Sequence, residues 1–266
     1  RSSDLGAPIP CYPHLRFGMP AGRALRTQWR SRRPDLVHIA TEGPLGWSAL
    51  RIARELDVAV TSDFRTNFQA YSGHYRLGWL RGAIEAYLHH FHNRTDCTMV
   101  PTEALRAELQ AAGFERTVVV ARGVDTQLFD PLRRSEALRR QWGAAESDGV
   151  VLYVGRLAAE KNLEVLLQAF ASMRRTDPRL RLVLVGDGPL RESLRQRCPE
   201  AVLAGQRSGI DLAAHYASAD LFLFPSLTET FGNVTPEAMA SGLPVLAFDH
   251  AAAGQLIEHG ENGWLV

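Results

Sequence analysis

Short apolar runs alternate with helix-period segments along most of this chain, from Asp35 onward. Runs of four to seven apolar residues between amphipathic helices are typical of strands in parallel sheets that helices cover. The runs that we predict as strands are DLVHIA (35–40), VAVTS (58–62), CTMVP (97–101), TVVVA (117–121), GVVLYVG (149–155), LRLVLVG (180–186), AVLAG (201–205), DLFLFP (220–225) and LPVLAF (243–248). The alternation therefore predicts the α/β class with parallel sheets.

A polar, arginine-rich stretch separates two groups of these runs. It covers residues 130–149, DPLRRSEALRRQWGAAESDG, and 266 residues are enough for two domains. We place the boundary near residue 140, which gives domains at 1–140 and 141–266. Both are expected to be doubly wound, Rossmann-like and facing each other, with ligands beyond the carboxyl ends of their strands.

Two helices carry start or stop signals. Thr102 is predicted to cap the first helix, TEALRAELQAAG, which Gly113 ends. Pro189 is predicted to begin the second helix, PLRESLRQR.

Composition excludes several classes of protein. Thirty basic and 29 acidic side chains give a net charge of +1, which argues against a nucleic-acid partner. Three widely spaced cysteines predict reduced thiols in a cytoplasmic protein, and no apolar run is long enough to span a membrane.

The only lysine among the thirty basic residues is Lys161, in GRLAAEKN directly after a predicted strand. Together with Arg156 it would place two cations at the carboxyl edge of a sheet, where a phosphorylated ligand binds. A lysine provides a compact charge that fits between phosphate oxygens, so the pair indicates a diphosphate. The alternative is a solvated lysine on a helix surface.

Two glutamates in PSLTETFGNVTPEAMASGLPV (225–245) flank a predicted loop and helix start. Amides around Gly232 to Thr235 would face an anion, while Glu229 and Glu237 would accept hydrogen bonds from the vicinal hydroxyls of a hexose and a ribose. This combination predicts a site for a nucleotide-diphosphate sugar. Alternatively, Glu229 is a solvated loop residue and Glu237 interacts with the helix dipole.

Five stretches carry a resemblance to a known family: GRLAAEKN, LVGDGPLRESL, YASADLFLFPSLTETFGNVTPEAMASGLPV, VHIATEGPLGWSAL and ARGVDTQLFDP. They resemble the retaining family-four (group 1) glycosyltransferases of the GT-B fold, and within them the lipid mannosyl-, glucosyl- and sulfoquinovosyl-transferases. The resemblance implies catalytic roles for Arg156, Lys161 and Glu229. The residues it implies for donor binding are Gly155, Gly186, Asp187, Gly188, Phe231, Gly232, Asn233, Val234 and Glu237. The turn 186–189 and residues 202–206 are implied to form the pocket for the nucleotide base.

The function implied by the resemblance is transfer of a hexose, with retention, from GDP-mannose or a UDP-sugar to an acceptor. The acceptor expected is a membrane lipid or glycolipid, which implies peripheral contact with the inner face of the membrane. No cofactor or metal is expected, since the chain has no Asp-x-Asp motif. The alternative is a catalytically impaired GT-B-like module that binds a nucleotide. An NAD enzyme is disfavoured, because GDGPLR has arginine in place of the third glycine of the dinucleotide motif.

The sequence departs from the family pattern in two respects. TSDFRTNF has Arg65 at the position of the family's histidine, so Arg65 and Thr66 are predicted to contact an acceptor or phosphate without a role as a base. We also expect the chain to lack the family's first strand and its C-terminal helix.

Two further segments have more than one interpretation. His89, His90 and His92 resemble metal ligands, but we favour a surface or packing role. Residues 22–35 contain Leu25, Trp29 and five arginines, which would suit anionic lipid, although a helix that covers the domain is the favoured interpretation.

Overall fold

The structure is a computed structural model that describes residues 6–9, 12–65 and 81–266, with side chains described for 18–65 and 82–266. The chain divides into two compact units, Arg1–Ala121 and Arg122–Val266.

The first unit contains a hairpin and a parallel sheet. Strands β1 (Gly6–Ile9) and β2 (Tyr12–Gly18) pair antiparallel. The sheet has the order β3-β4-β5-β6, with β3 at Leu36–Ile39, β4 at Ala59–Asp63, β5 at Cys97–Val100 and β6 at Thr117–Val119. The helices are α1 (Gly22–Ser31), α2 (Pro44–Glu55), α3 (Arg81–His92) and α4 (Glu103–Ala111).

Helix α1 covers the first unit with its apolar side. Leu25 is buried against Ile52 of α2, and Trp29 packs on the same cluster. Arg26 and Arg30 pair with Glu55 at 2.6 and 3.4 Å. The apolar residues of 22–35 are therefore used in packing, as the favoured interpretation predicted.

His92 is a packing residue in a buried polar cluster. Only 1% of it is exposed, its Nδ1 lies 2.9 Å from the Ser62 hydroxyl, and its Nε2 lies 3.1 Å from a carboxylate oxygen of Glu42. His89 contacts the carbonyl oxygen of Gly113 at 2.8 Å. The two histidines thus connect α3 to β4 and to neighbouring loops.

The second unit is built on a six-stranded parallel sheet with the order β12-β11-β10-β7-β8-β9. Its strands are β7 (Val150–Val154), β8 (Arg181–Val185), β9 (Val202–Gly205), β10 (Leu221–Phe224), β11 (Val245–Ala247) and β12 (Gly263–Leu265). Its helices are α5 (Glu136–Gln141), α6 (Leu163–Thr176), α7 (Arg191–Arg197), α8 (Gly209–Ala217), α9 (Val234–Ala240) and α10 (Ala251–Leu256), with 3-10 turns at Pro131–Arg133 and Ala159–Lys161. All five residues of β7 are buried, as expected for a central strand.

The segment before β7 belongs to the second unit, so the predicted boundary near residue 140 lies inside that unit. The segment is held there by two buried side chains, Arg139 and Trp142. Arg139 is 1% exposed and donates to the Asp220 carboxylate at 2.8 Å, to the Ser218 carbonyl and to the Asp148 carbonyl. Trp142 joins the main core of the unit. The arginine-rich stretch that suggested a domain boundary thus includes a buried arginine that anchors it.

All nine predicted strands are present within a residue or two of their predicted bounds. Thr102 caps α4 through a bond from the Leu105 amide to its hydroxyl, and Gly113 follows the helix with φ +87°. Pro189 precedes α7, which begins at Arg191.

Candidate active site

The candidate site lies where the strand order of the second unit reverses. From β7 the chain continues outward through β8 and β9, then returns to place β10 on the other side of β7. In doubly wound sheets a crevice opens at this switch point, beyond the carboxyl ends of the two strands. The loops that follow β7 and β10 carry the charged residues singled out in the sequence.

Lys161 and Glu229 connect these two loops. The Lys161 Nζ donates to Glu229 Oε1 at 2.5 Å, and the Ser226 hydroxyl donates to the same oxygen at 2.8 Å. Lys161 is 9% exposed, and the Glu229 side chain is 19% exposed. The alternatives of a solvated lysine and a solvated loop glutamate are therefore wrong.

Arg156 is anchored beside this pair. It forms an ion pair with Glu160, whose side chain is completely buried. The Tyr153 hydroxyl donates to the Arg156 carbonyl at 3.1 Å, and the Thr228 hydroxyl donates to the Glu160 carbonyl at 3.1 Å. The turn that carries both cations is thus bonded to β7 and to the loop after β10.

Tyr153 is a fully buried phenol within β7, and its ring stacks on Phe224 with centroids 6.1 Å apart. Burial raises its pKa well above the ordinary value, and the carboxylates of Glu229 and Glu160 raise it further. The hydroxyl therefore stays protonated and acts as a donor to the loop.

Glycines allow the loops after β7 and β8 to approach each other closely. A Cβ on Gly186, which has φ +138°, would lie 1.9 Å from the Gly155 carbonyl oxygen. A Cβ on Gly188, with φ +156°, would lie 2.5 Å from the Leu157 carbonyl oxygen. The Gly186 amide donates to the Gly205 carbonyl at 2.8 Å, which places the GDGP turn beside the end of β9. Asp187 caps this turn by accepting from the Gly188 amide.

The loop that leads into α9 carries the second glutamate. Phe231 is 4% exposed, Gly232 has φ +85°, and the helix begins at Val234. Thr235 was expected to have an amide that faces an anion, but this amide donates to the Gly232 carbonyl at 3.0 Å. That part of the expectation is wrong, because the first turn of α9 already uses the amide.

Glu237 lies in the first turn of α9 and accepts a hydrogen bond from the Tyr216 hydroxyl at 2.9 Å. Burial raises the pKa of Glu237, and the Tyr216 bond acts in the opposite direction by stabilising the carboxylate. Glu237 is therefore partly desolvated, and its position in the first turn of α9 also agrees with the alternative of an interaction with the helix dipole.

Arg65 and Thr66 are the predicted site residues of the first unit. Arg65 follows β4, and its Nε donates to the Asp63 carboxylate at 2.5 Å. Its side chain is 46% exposed. Thr66 lies outside the described residues. Within the described ranges, no three His, Cys, Asp or Glu residues form a group suited to a metal ion. Metal independence remains a prediction.

Sequence reasoning missed the partners of the predicted residues. These partners are Tyr153, Glu160, Tyr216, Ser226, Thr228 and His250, whose Nε2 lies 3.0 Å from the Glu229 carbonyl oxygen. Tyr153 had a detectable signal, since a tyrosine in an otherwise aliphatic central strand requires a partner for its hydroxyl. Glu160 follows Arg156 at the spacing of a helical ion pair.

Comparisons with known proteins match both units. The Glycosyltransferase Family 4 description matches residues 4–128, and the Glycosyl transferases group 1 description matches residues 148–266. A GDP-mannose-dependent alpha-mannosyltransferase of Mycobacterium tuberculosis (strain CDC 1551 / Oshkosh) is 39% identical over 97% of this chain and 66% of its own length. The chain belongs to the family-four glycosyltransferases. The resemblance stated from the sequence is thus confirmed.

Two further proteins are similar to this chain. The alpha-monoglucosyldiacylglycerol synthase of Streptococcus pneumoniae (strain ATCC BAA-255 / R6) is 29% identical over 84% of this chain and 54% of its own. The Anabaena protein HepE, solved in complex with UDP-glucose, has a TM-score of 0.74 and 25% identity over 92% of this chain and 67% of its own. Each unit thus has the parallel α/β fold of GT-B glycosyltransferases. The chain spans about two thirds or less of the length of the mannosyltransferase and the synthase.

Proposed function

We propose that this chain transfers a hexose, with retention of configuration, from a nucleotide-diphosphate sugar to a membrane lipid or glycolipid. The donor proposed is GDP-mannose, with a UDP-sugar as the other candidate. The proposal includes catalysis without a metal ion and contact with the inner face of the membrane. Among the described residues, no helix combines the length and apolar character needed to cross a membrane.

The observation that carries the proposal is the ion pair between Lys161 and Glu229. The pair brings a cation and a hydrogen-bond acceptor side by side at the switch point between β7 and β10. A sugar bonded to a diphosphate requires the same adjacency, since its hydroxyls lie next to the phosphate oxygens. Glu229 Oε1 already accepts from Lys161 and Ser226, which leaves its second oxygen to bind sugar hydroxyls.

The proposed catalysis depends on stabilising the departing diphosphate. Arg156 and Lys161 supply fixed positive charge, and their buried or partly buried partners hold them in place before the donor arrives. Preorganised charge directed at the leaving group lowers the barrier because little reorganisation is needed during the reaction. Under this proposal Arg65 acts as a contact for phosphate or acceptor, since a guanidinium stays protonated at neutral pH.

The choice of substrates is supported by relatives. One relative is named as GDP-mannose-dependent, a second is named as a synthase of a glucosylated diacylglycerol, and HepE binds UDP-glucose. These names support a nucleotide-sugar donor and a lipid acceptor, and they rank mannose first because the mannosyltransferase has the higher identity.

The test is turnover on lipid vesicles. The chain is incubated with GDP-mannose or UDP-glucose, EDTA and vesicles that contain diacylglycerol, and the products are measured by mass spectrometry. We expect one donor to yield a glycolipid with the anomeric configuration of the donor, as read by proton NMR. Arg156→Ala should lower the rate about a hundredfold or more, because the leaving group loses one cation.

The matched control is Arg174→Ala, which removes an arginine of helix α6 that pairs with Glu200. It should leave the rate unchanged. Nucleotide binding without turnover of either donor would contradict the enzyme proposal and support the impaired binding module.

A further inference from the structure

Tyr216 is a buried tyrosine whose hydroxyl has a single partner among the described residues. The residue is fully buried near the end of α8, and its hydroxyl donates to Glu237 Oε2 at 2.9 Å. A hydrogen bond to an ionised carboxylate is stronger than one between neutral groups. The bond therefore fixes one oxygen of a glutamate that the proposed function assigns to the donor.

The ring of Tyr216 is held on two sides by aromatic residues. Phe129 packs against it edge to face, with centroids 5.7 Å apart and an interplanar angle of 80°. Phe222 of β10 packs at 5.7 Å with an angle of 59°. Because all three rings are buried, the hydroxyl has a fixed position relative to the strand that leads into the site.

Glu237 has a second oxygen that is left for a ligand. Within the described part of the chain, Oε1 of Glu237 receives no hydrogen bond, while Oε2 is occupied by Tyr216. A carboxylate with one oxygen anchored presents the other in a defined direction. Vicinal hydroxyls of a ribose are suitable donors for that oxygen.

We propose that Tyr216 is a positioning residue of the donor site, which orients the Glu237 carboxylate so that Oε1 binds the ribose hydroxyls of the nucleotide. The inference rests on the proposed function and adds a residue that determines how strongly the ribose, as distinct from the diphosphate, contributes to affinity. The hydrogen bond from Tyr216 also opposes the rise that burial causes in the pKa of Glu237.

The test compares ligands with and without the ribose 2′-hydroxyl. Calorimetric titrations use UDP, dUDP, GDP, dGDP and inorganic pyrophosphate with the wild-type chain and with Tyr216→Phe, which keeps the ring and removes the bond. We expect the preference for the ribonucleotide over its deoxy form to fall by roughly fivefold or more, while the affinity for pyrophosphate is unchanged.

A second readout is the pH dependence of nucleotide binding. Loss of the phenol removes an interaction that lowers the pKa of Glu237, so the acidic limb of the binding profile should move to higher pH in Tyr216→Phe. A purely structural role for Tyr216 would weaken all ligands together and leave this limb in place. Tyr87→Phe is the matched control, since it removes a tyrosine hydroxyl that donates to the Glu42 carbonyl in the first unit.

A double mutant keeps the inference testable if Tyr216→Phe also lowers stability. In a Glu237→Gln background, adding Tyr216→Phe should cause no further loss of ribose preference, because the carboxylate that it orients is already gone. Unchanged preference and an unchanged acidic limb in Tyr216→Phe would overturn the inference alone. Failure of the wild-type chain to bind any nucleotide would overturn the proposed function and the inference together.

Discussion

Glu237, which is proposed to bind the ribose, is partly buried, and this burial has a cost for folding. Its carboxylate is partly removed from water, which raises its pKa, and among the described residues only the Tyr216 hydroxyl donates a hydrogen bond to it. Glu229 differs in that both a lysine and a serine hydroxyl stabilise its charge. The two glutamates of the motif are therefore held by different chemistry.

The raised pKa of Glu237 predicts a pH-dependent gain in stability for Glu237→Gln. With a raised pKa, the folded state binds more protons than the unfolded state, so stability of the wild type is lost as pH rises from about 4 through the folded pKa. The glutamine does not titrate. We expect the free energy of unfolding of Glu237→Gln, from urea titrations, to exceed that of the wild type near pH 7 and to approach it near pH 4.

The control for that prediction is Glu192→Gln, which removes a carboxylate that pairs with Arg195 at 3.4 Å and is 67% exposed. Its stability difference from the wild type should be small across the same range. An equal stability difference for Glu237→Gln at pH 4 and pH 7 would contradict the account of this carboxyl.

The charged residues of the candidate site could be predicted from the sequence, whereas the residues that hold them in place could not. Lys161 and Glu229 were singled out because each follows an apolar run that the sequence identifies as a strand. Tyr216 was missed because nothing local connects it to Glu237, 21 residues away along the chain. Only the packing of β10 against its helices brings that hydroxyl to the carboxylate.

At the scale of elements, the segment before β7 is held in the second unit by α5. Arg139 of this helix donates to Asp220, which follows α8 and in turn accepts from the Val150 amide of β7 at 2.8 Å. The connection includes a helix, a strand and the loop between α8 and β10. Within the part of the chain that the structure describes, the Nε of Arg139 has no hydrogen-bond partner and lies 3.7 Å from a carboxylate oxygen of Glu136. The hydrogen bonds of the buried guanidinium are made by its other two nitrogens.

We predict that Arg139→Ala destabilises the protein by about 3 kcal/mol or more, because removal of one partner leaves buried acceptors without a donor. Arg140→Ala, which changes the exposed neighbour on the same helix, should cost less than about 0.5 kcal/mol. Chemical unfolding curves measure both. Similar losses for the two variants would show that Arg139 is not an anchor.

The elements that sequence analysis missed are those with weak local signals. The β1–β2 hairpin includes Pro8 and Pro13, and proline disfavours strand pairing. Strand β12 has only three residues and pairs at the edge of the sheet with β11. By contrast, the central strands β7 and β8 are continuous apolar runs, which is why both were predicted.

At the scale of the whole molecule, each unit has a parallel sheet, and the proposed donor chemistry lies in the second. The residues proposed to touch the donor in this unit follow β7, β8 and β10, and Tyr216 supports them from α8. Arg65, the proposed contact for phosphate or acceptor, belongs to the first unit. Donor binding by this unit is the central claim, since the proposed transfer and the role of Tyr216 both depend on it.

The most direct measurement is calorimetric titration of GDP and UDP into the full chain with EDTA present, repeated with Lys161→Ala. We predict that one nucleotide binds without a metal ion and that the variant binds it at least about tenfold more weakly, because the diphosphate loses a charged donor. Circular dichroism of Lys161→Ala checks that the fold is retained, and Arg174→Ala serves as the control away from the site. Absence of binding by both nucleotides, or equal binding by Lys161→Ala, would contradict the claim.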